Sequence, residues 1–194
     1  MKTGQLRREC LITTGATAEF PELIKSAISQ ESLKVLTDHH FTHITLQCGK
    51  SVSLVEQNKP RDTEGLVVRA FDFKQEGLNE EMRRCHAIDG VSRQGLVICH
   101  AANTGAGTIL ETLRLGLPLV VVPNTSLLDN HQEELAAELE MQGYATKASV
   151  ANLPTAIETA CSAETKTWLG KSASLAPIID EVVGYDEDRK ALLD

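Results

Sequence analysis

Two patterns alternate along the chain. Short apolar, β-rich runs are separated by segments whose apolar residues recur at helical spacing. Cys10–Thr14 reads as a first strand, ended by Gly15. Phe20–Ile28 follows as a helix, with Pro21 in its first turn and Leu23, Ile24, Ala27 and Ile28 on one face. Phe41–Cys48 is the second predicted strand, closed by Gly49-Lys50, and Leu66–Val68 a short third, with Phe71–Phe73 just beyond it. Asn79–Ala87 is predicted helical, Leu96–Cys99 a strand, and Thr108–Leu115 a helix after a glycine-bearing loop. Leu119–Val122 is apolar without interruption, the mark of a parallel strand buried on both faces. His131–Gln142 is the next helix, with Asn130 at the N-cap position, Glu133 at capping-box spacing and Gly143 as its stop. Tyr144–Lys147 is predicted as a last strand, Pro154–Cys161 as a helix and Leu175–Leu193 as an acidic, partly amphipathic C-terminal helix.

This alternation predicts an α/β fold: one Rossmann-like, doubly wound domain with a mostly parallel sheet over residues 1–170, and a helical tail over 171–194. The tail carries an apolar stripe (Leu175, Ile178, Ile179, Val182, Val183) that suits either packing on its own domain or docking a partner. Ligands of such sheets bind at the carboxyl ends of the strands. The loops at 13–17, 47–51, 100–108 and 123–133 are therefore expected to converge on a site.

Composition narrows the chemistry. A length of 194 residues predicts one domain. With 19 basic against 27 acidic side chains the net charge is -8, and aromatics make up 4%, so nucleic acid is a poor partner. No apolar run reaches membrane-spanning length and no signal-peptide core follows Met1–Cys10, so the expected location is the cytosol. The five cysteines are scattered and odd in number, which argues against a disulfide framework. Cys85-His86 and Cys99-His100 are adjacent pairs without CxxC or HxxxH spacing, so neither a metal site nor a resident cofactor is expected.

Two phosphate motifs fail on inspection. Gly49-Lys50-Ser51 ends like a Walker A loop, but Ile44 stands where the first glycine belongs. Gly105-Ala106-Gly107 begins like a dinucleotide fingerprint, but Leu110 occupies the third glycine position. That pair still lies between a strand and a helix, where free backbone N–H groups and the helix dipole favour an anion. A tight turn and an anion cradle explain it equally well. Glu111, one turn into the helix, can hold ribose hydroxyls or merely pair with the dipole, and the second is commoner. His100 ends a strand at the expected ligand edge. The cluster Asp129–Glu134 suits sugar hydroxyls; capping accounts for Asn130 and Glu133 but not for His131 and Gln132.

Three segments carry a family resemblance: Gly107–Arg114, Leu117–Asn124 and Leu128–Ala136. They closely resemble the soluble subunits of the UDP-N-acetylglucosamine transferases of asparagine-linked glycosylation, fungal type. Thr14–Thr17, Phe20, Gln47–Lys50 and Phe71–Phe73 fit in the same order. The resemblance spans roughly residues 9–150 and is strongest over 105–136. It implies the donor-binding half of a GT-B glycosyltransferase divided over two chains, similar to the bacterial enzyme that adds N-acetylglucosamine to the peptidoglycan lipid precursor. It assigns Glu111 to the uridine ribose and Gln132 and Glu133, beside Asn130 and His131, to the donor sugar. Gly15, Ala16, Thr17, Gly105, Gly107 and Thr108 would face the diphosphate, and His100 is the candidate catalytic residue. The implied reaction moves N-acetylglucosamine from UDP-N-acetylglucosamine to dolichyl-diphosphate-N-acetylglucosamine at the cytosolic face of the endoplasmic reticulum. A membrane-anchored partner subunit would bind the acceptor, and no metal is implied.

One departure stands out. The family reads His-Ala-Gly-x-Gly-Ser/Thr after the strand, whereas Ala102-Asn103-Thr104 are additional here. A second function follows from that insertion: a non-catalytic regulatory or stabilising subunit with a spoiled nucleotide loop. A nucleotide-cofactor oxidoreductase is a third, weakened by the missing glycine.

Overall fold

The computed structural model describes residues 6–15, 19–88, 91–101, 106–125 and 130–168. Six parallel strands form one sheet: β1 (Glu9–Thr13), β2 (His43–Gln47), β3 (Val67–Phe71), β4 (Leu96–His100), β5 (Leu119–Val122) and β6 (Thr146–Lys147). Their spatial order is β3-β2-β1-β4-β5-β6, and each neighbouring pair is parallel. The helices are α1 (Pro21–Ala27), α2 (Gln30–Asp38), α3 (Val52–Asn58), α4 (Asn79–Arg84), α5 (Ala106–Arg114), α6 (Asn130–Met141) and α7 (Leu153–Ser162). This is the doubly wound Rossmann-like fold that the alternation predicts.

The period of two along each strand divides the core into two layers. Cys10, Ile12, Ile98, Val120 and Val122 face one side, where Leu23, Ile24, Leu33, Leu36, Val55 and Ile157 bring α1, α2, α3 and α7 against the sheet. Leu11, Val97, Cys99 and Val121 face the other, covered by Met82, Ile109, Leu113, Leu135 and Leu139 from α4, α5 and α6. Every residue of β1, β4 and β5 is buried, as expected for central strands covered on both faces. The face assigned to the first helix is also as predicted, with Leu23, Ile24 and Ala27 buried.

The elements differ from the predicted ones in four places. The third strand is one continuous run, Val67–Phe71, rather than 66–68 with a separate piece beyond it. It lies at the sheet edge, so Arg69 on a solvated face interrupts the apolar pattern without interrupting the strand. Helices α2 and α3 were not expected. In α2, Ser29 caps the start by accepting the Ser32 N–H at 3.3 Å, and Leu33 and Leu36 are the buried pair. In α3 only Val55 is buried, too little to show a period. The last strand holds only Thr146–Lys147, because Tyr144 packs into the core before pairing begins. The tail over 171–194 lies outside the described residues.

All five cysteines are free thiols. Burial pushes Cys85 and Cys99 up to about 12, and Cys48 and Cys161 up to about 11, so each is protonated and unreactive near neutrality. Among the described residues no helix is long and apolar enough to cross a membrane.

Candidate functional site

The order of the strands reverses between β1 and β4, and the crevice at their carboxyl ends is where a doubly wound sheet offers a ligand site. The register brings Thr13 level with both Gln47 and Cys99, so the loops leaving β1, β2 and β4 start side by side. The Thr13 hydroxyl donates to Gln47 Oε1 at 2.6 Å and accepts the Gly15 N–H at 3.1 Å. Gly15 turns the chain away with φ of +84°, a conformation that favours glycine. The Thr14 hydroxyl is buried beside it and has no hydrogen-bond partner among the described residues. It is a polar group left over at the crevice.

His100 ends β4 and is 1% exposed. Its Nε2 lies 3.0 Å from Gln132 Oε1, its Nδ1 lies 3.3 Å from the Thr14 carbonyl, and its ring packs 5.1 Å from that of Phe20. Gln132, on the first turns of α6, is 3% exposed and also accepts the Asn124 N–H at 3.0 Å. Desolvation holds His100 below its ordinary value, outweighing the two hydrogen bonds, so the ring is neutral near pH 7. A neutral imidazole with both nitrogens facing protein acceptors is poorly placed to take a proton from a substrate. The structure therefore places His100 as a buried link between β1, β4 and α6.

Helix α5 rises from the β4 loop and brings its N-terminus to the same edge. Gly107 is exposed with open space where a Cβ would stand, and Thr108 is half-buried. The Thr108 carbonyl accepts from the Thr112 hydroxyl at 2.7 Å. Glu111 is half-buried and faces the start of α4, where the Asn79 amide, with its nitrogen turned toward the carboxylate, donates to Oε2 at 2.9 Å. Asn79 thus fixes a carboxylate that keeps further lone pairs for a ligand.

Four predicted residues meet at the start of α6, but they do not act alike. Asn130 is the first residue of the helix rather than a cap before it. His131 and Glu133 are exposed, whereas Gln132 turns inward. The Glu133 carboxylate pairs with Lys147 on β6. Beside it a cavity of about 750 Å³ opens over the ends of β5 and β6, lined among others by Phe20, Asn124, Glu133, Lys147, Ser149 and Asn152. Ala16, Thr17, Gly105 and the inserted Ala102-Asn103-Thr104 lie outside the described residues. Among the described residues no three His, Cys, Asp or Glu side chains converge as a metal set. The sequence reading missed Thr14, Asn79 and Lys147. Asn79 and Lys147 meet their partners only through the fold; Thr14, next to the turning Gly15, carried the one legible signal.

The model of the glycosyltransferase family 28 C-terminal domain matches residues 9–168. The chain belongs to this family. As a family 28 C-terminal domain it is similar to proteins named UDP-N-acetylglucosamine transferase subunit ALG13. That of Cryptococcus neoformans is 33% identical over 202 residues, covering 91% of this chain and 96% of the relative. That of Yarrowia lipolytica is 36% identical over 130 residues, covering 66% and 59%. The human protein is 34% identical over 136 residues, 70% of this chain, yet the chain spans only 11% of its length; for the mouse relative the share is 10%. Two solved structures share the fold. An NMR structure of ALG13 superposes with a TM-score of 0.67 at 24% identity, covering 93% of this chain and 98% of that one. MurG of Acinetobacter baumannii superposes at 0.55 with 18% identity, covering 94% and 45%. The family domain spans the six strands and seven α-helices seen among the described residues, with the switch-point crevice at its centre.

Proposed function

We propose that this chain is the donor-binding subunit of a transferase that moves N-acetylglucosamine from UDP-N-acetylglucosamine to dolichyl-diphosphate-N-acetylglucosamine. The observation that carries the proposal is the match of residues 9–168 to the glycosyltransferase family 28 C-terminal domain. The names of the relatives supply the sugar donor and the word subunit. In this reading the Glu111 carboxylate, steadied by Asn79, accepts the ribose hydroxyls. The start of α5 and the turn at Gly15 face the diphosphate, where free backbone N–H groups and the helix dipole stabilise the charge that builds on the leaving UDP. Ala16, Thr17 and Gly105 extend that surface. The sugar lies toward α6, near Gln132 and Glu133, with Asn130 and His131 beside them.

The acceptor hydroxyl attacks the anomeric carbon, the carbon–oxygen bond to the diphosphate breaks, and UDP leaves with the bonding pair. The proton passes to a base on the second subunit, because His100 is buried with both ring nitrogens facing protein oxygens. That partner is membrane-anchored, binds the lipid-linked acceptor and holds this chain at the cytosolic face of the endoplasmic reticulum. The chemistry uses no resident cofactor or metal.

The test is reconstitution. Mixed with its membrane partner, the full chain is expected to transfer labelled N-acetylglucosamine to the lipid acceptor, and neither component alone is expected to do so. Transfer by this chain alone would contradict the two-subunit reading. A partnered complex that binds donor without any transfer would favour the regulatory-subunit reading instead.

A further inference from the structure

We propose that Gln132 is a positioning residue: it fixes which nitrogen of His100 carries the proton, and so clamps the end of β4 to β5 and α6. The orientation of its amide follows from one neighbour. The Asn124 N–H can only donate, and it points at Gln132 Oε1 from 3.0 Å. The same oxygen lies 3.0 Å from His100 Nε2. An amide oxygen has no proton, so the proton between them belongs to the ring, on Nε2.

The rest of the geometry agrees. A neutral ring protonated at Nε2 presents a bare Nδ1 to the Thr14 carbonyl, and that contact is the longer one, 3.3 Å. His100 and Gln132 are 1% and 3% exposed, so no bulk water replaces a lost partner. The three residues joined in this way come from the end of β4, the segment after β5 and the start of α6. They tie the diphosphate side of the crevice to its sugar side. Gln132 therefore serves the donor site through His100 and Asn124, with its side-chain oxygen committed inside the protein. This role rests on the donor reading above for its effect on transfer, but the position of the proton does not.

Long-range proton–nitrogen NMR spectra of the ¹⁵N-labelled full chain read the tautomer directly. The wild-type ring is expected to carry its proton on Nε2. In Gln132→Met the acceptor left to the ring among the described residues is the Thr14 carbonyl, so the proton is expected to move to Nδ1. Gln132→Glu keeps an acceptor in place and is expected to keep the Nε2 proton. In the transferase assembled with its partner, Gln132→Met should raise the KM for UDP-N-acetylglucosamine about tenfold, the scale of a buried donor left unpaired. His100→Phe combined with Gln132→Met should lose less than the product of the two single losses, since residues in contact are not additive. A wild-type proton on Nδ1, or an Nε2 proton that survives Gln132→Met, would overturn the proposal. A double variant losing the product of the single losses would do so too. If the wild-type complex transfers no sugar, the donor reading fails and the tautomer spectra still decide this one.

Discussion

Replacing Glu111 by alanine is expected to raise the dissociation constant for UDP-N-acetylglucosamine by about 10- to 150-fold. Hydrogen bonds to a charged group are worth roughly 1.5–3 kcal/mol, and each 1.4 kcal/mol is about tenfold in affinity. The helix starts at Ala106, so Glu111 lies beyond its first turn, and two features set this carboxylate apart from an ordinary surface glutamate. It stands half-buried on α5, the helix that follows β4, and the Asn79 amide holds it from α4. Glu111→Gln keeps the shape and one acceptor but loses the charge, so an intermediate loss is expected. Asn79→Ala leaves the carboxylate present but unsteadied and should cost less than either. Calorimetric titration checks the series, and a Glu111→Ala dissociation constant equal to that of wild type would remove this residue from the site.

The largest effect on stability is expected at Gly95, just before β4. A Cβ there would overlap the Glu9 carbonyl oxygen and come within 2.9 Å of Cys85 Cα, both of them backbone atoms. Neither side can yield easily. The Gly95 N–H donates to the Cys85 carbonyl at 2.7 Å, and the Glu9 carboxylate is buried and held by Arg7 and Thr45. Gly95→Ala should therefore cost about 3 kcal/mol, the upper part of the usual range for overpacking. For a domain of this size that lowers Tm by roughly 6–12 °C. Gly107 is the control, because open space surrounds the same added carbon in a helix. There alanine should leave Tm unchanged or raise it slightly. Thermal unfolding followed by circular dichroism separates the two, and a Gly95→Ala protein melting with wild type would refute the steric account.

The legible parts of the chain are those where one local pattern settles the outcome. Leu119–Val122 could only be a strand buried on both faces, and Leu23, Ile24 and Ala27 could only be one side of a helix. The doubly wound order then placed the crevice, and with it His100, Gly107 and Glu111. What escaped depended on distant partners or on weak patterns. Helix α2 buries little beyond Leu33 and Leu36, although Ser29 as its cap was there to be read. Strand β3 lies at an edge, where Arg69 resembles a break. Within His131-Gln132-Glu133 every residue is polar, so nothing in the sequence says that the middle one points into the core. Only the approach of His100, thirty-two residues earlier, makes a buried glutamine of it. The Asn79–Glu111 contact likewise joins two helices that share no sequence signal.

In the proposed function the crevice between β1 and β4 holds a UDP-sugar. The most direct measurement is calorimetric titration of the full, folded chain with UDP-N-acetylglucosamine, alongside Glu111→Ala. Saturable binding at one site per chain, weakened at least tenfold by the substitution, is the expected result. A folded wild-type chain that gives no saturable heat would contradict it.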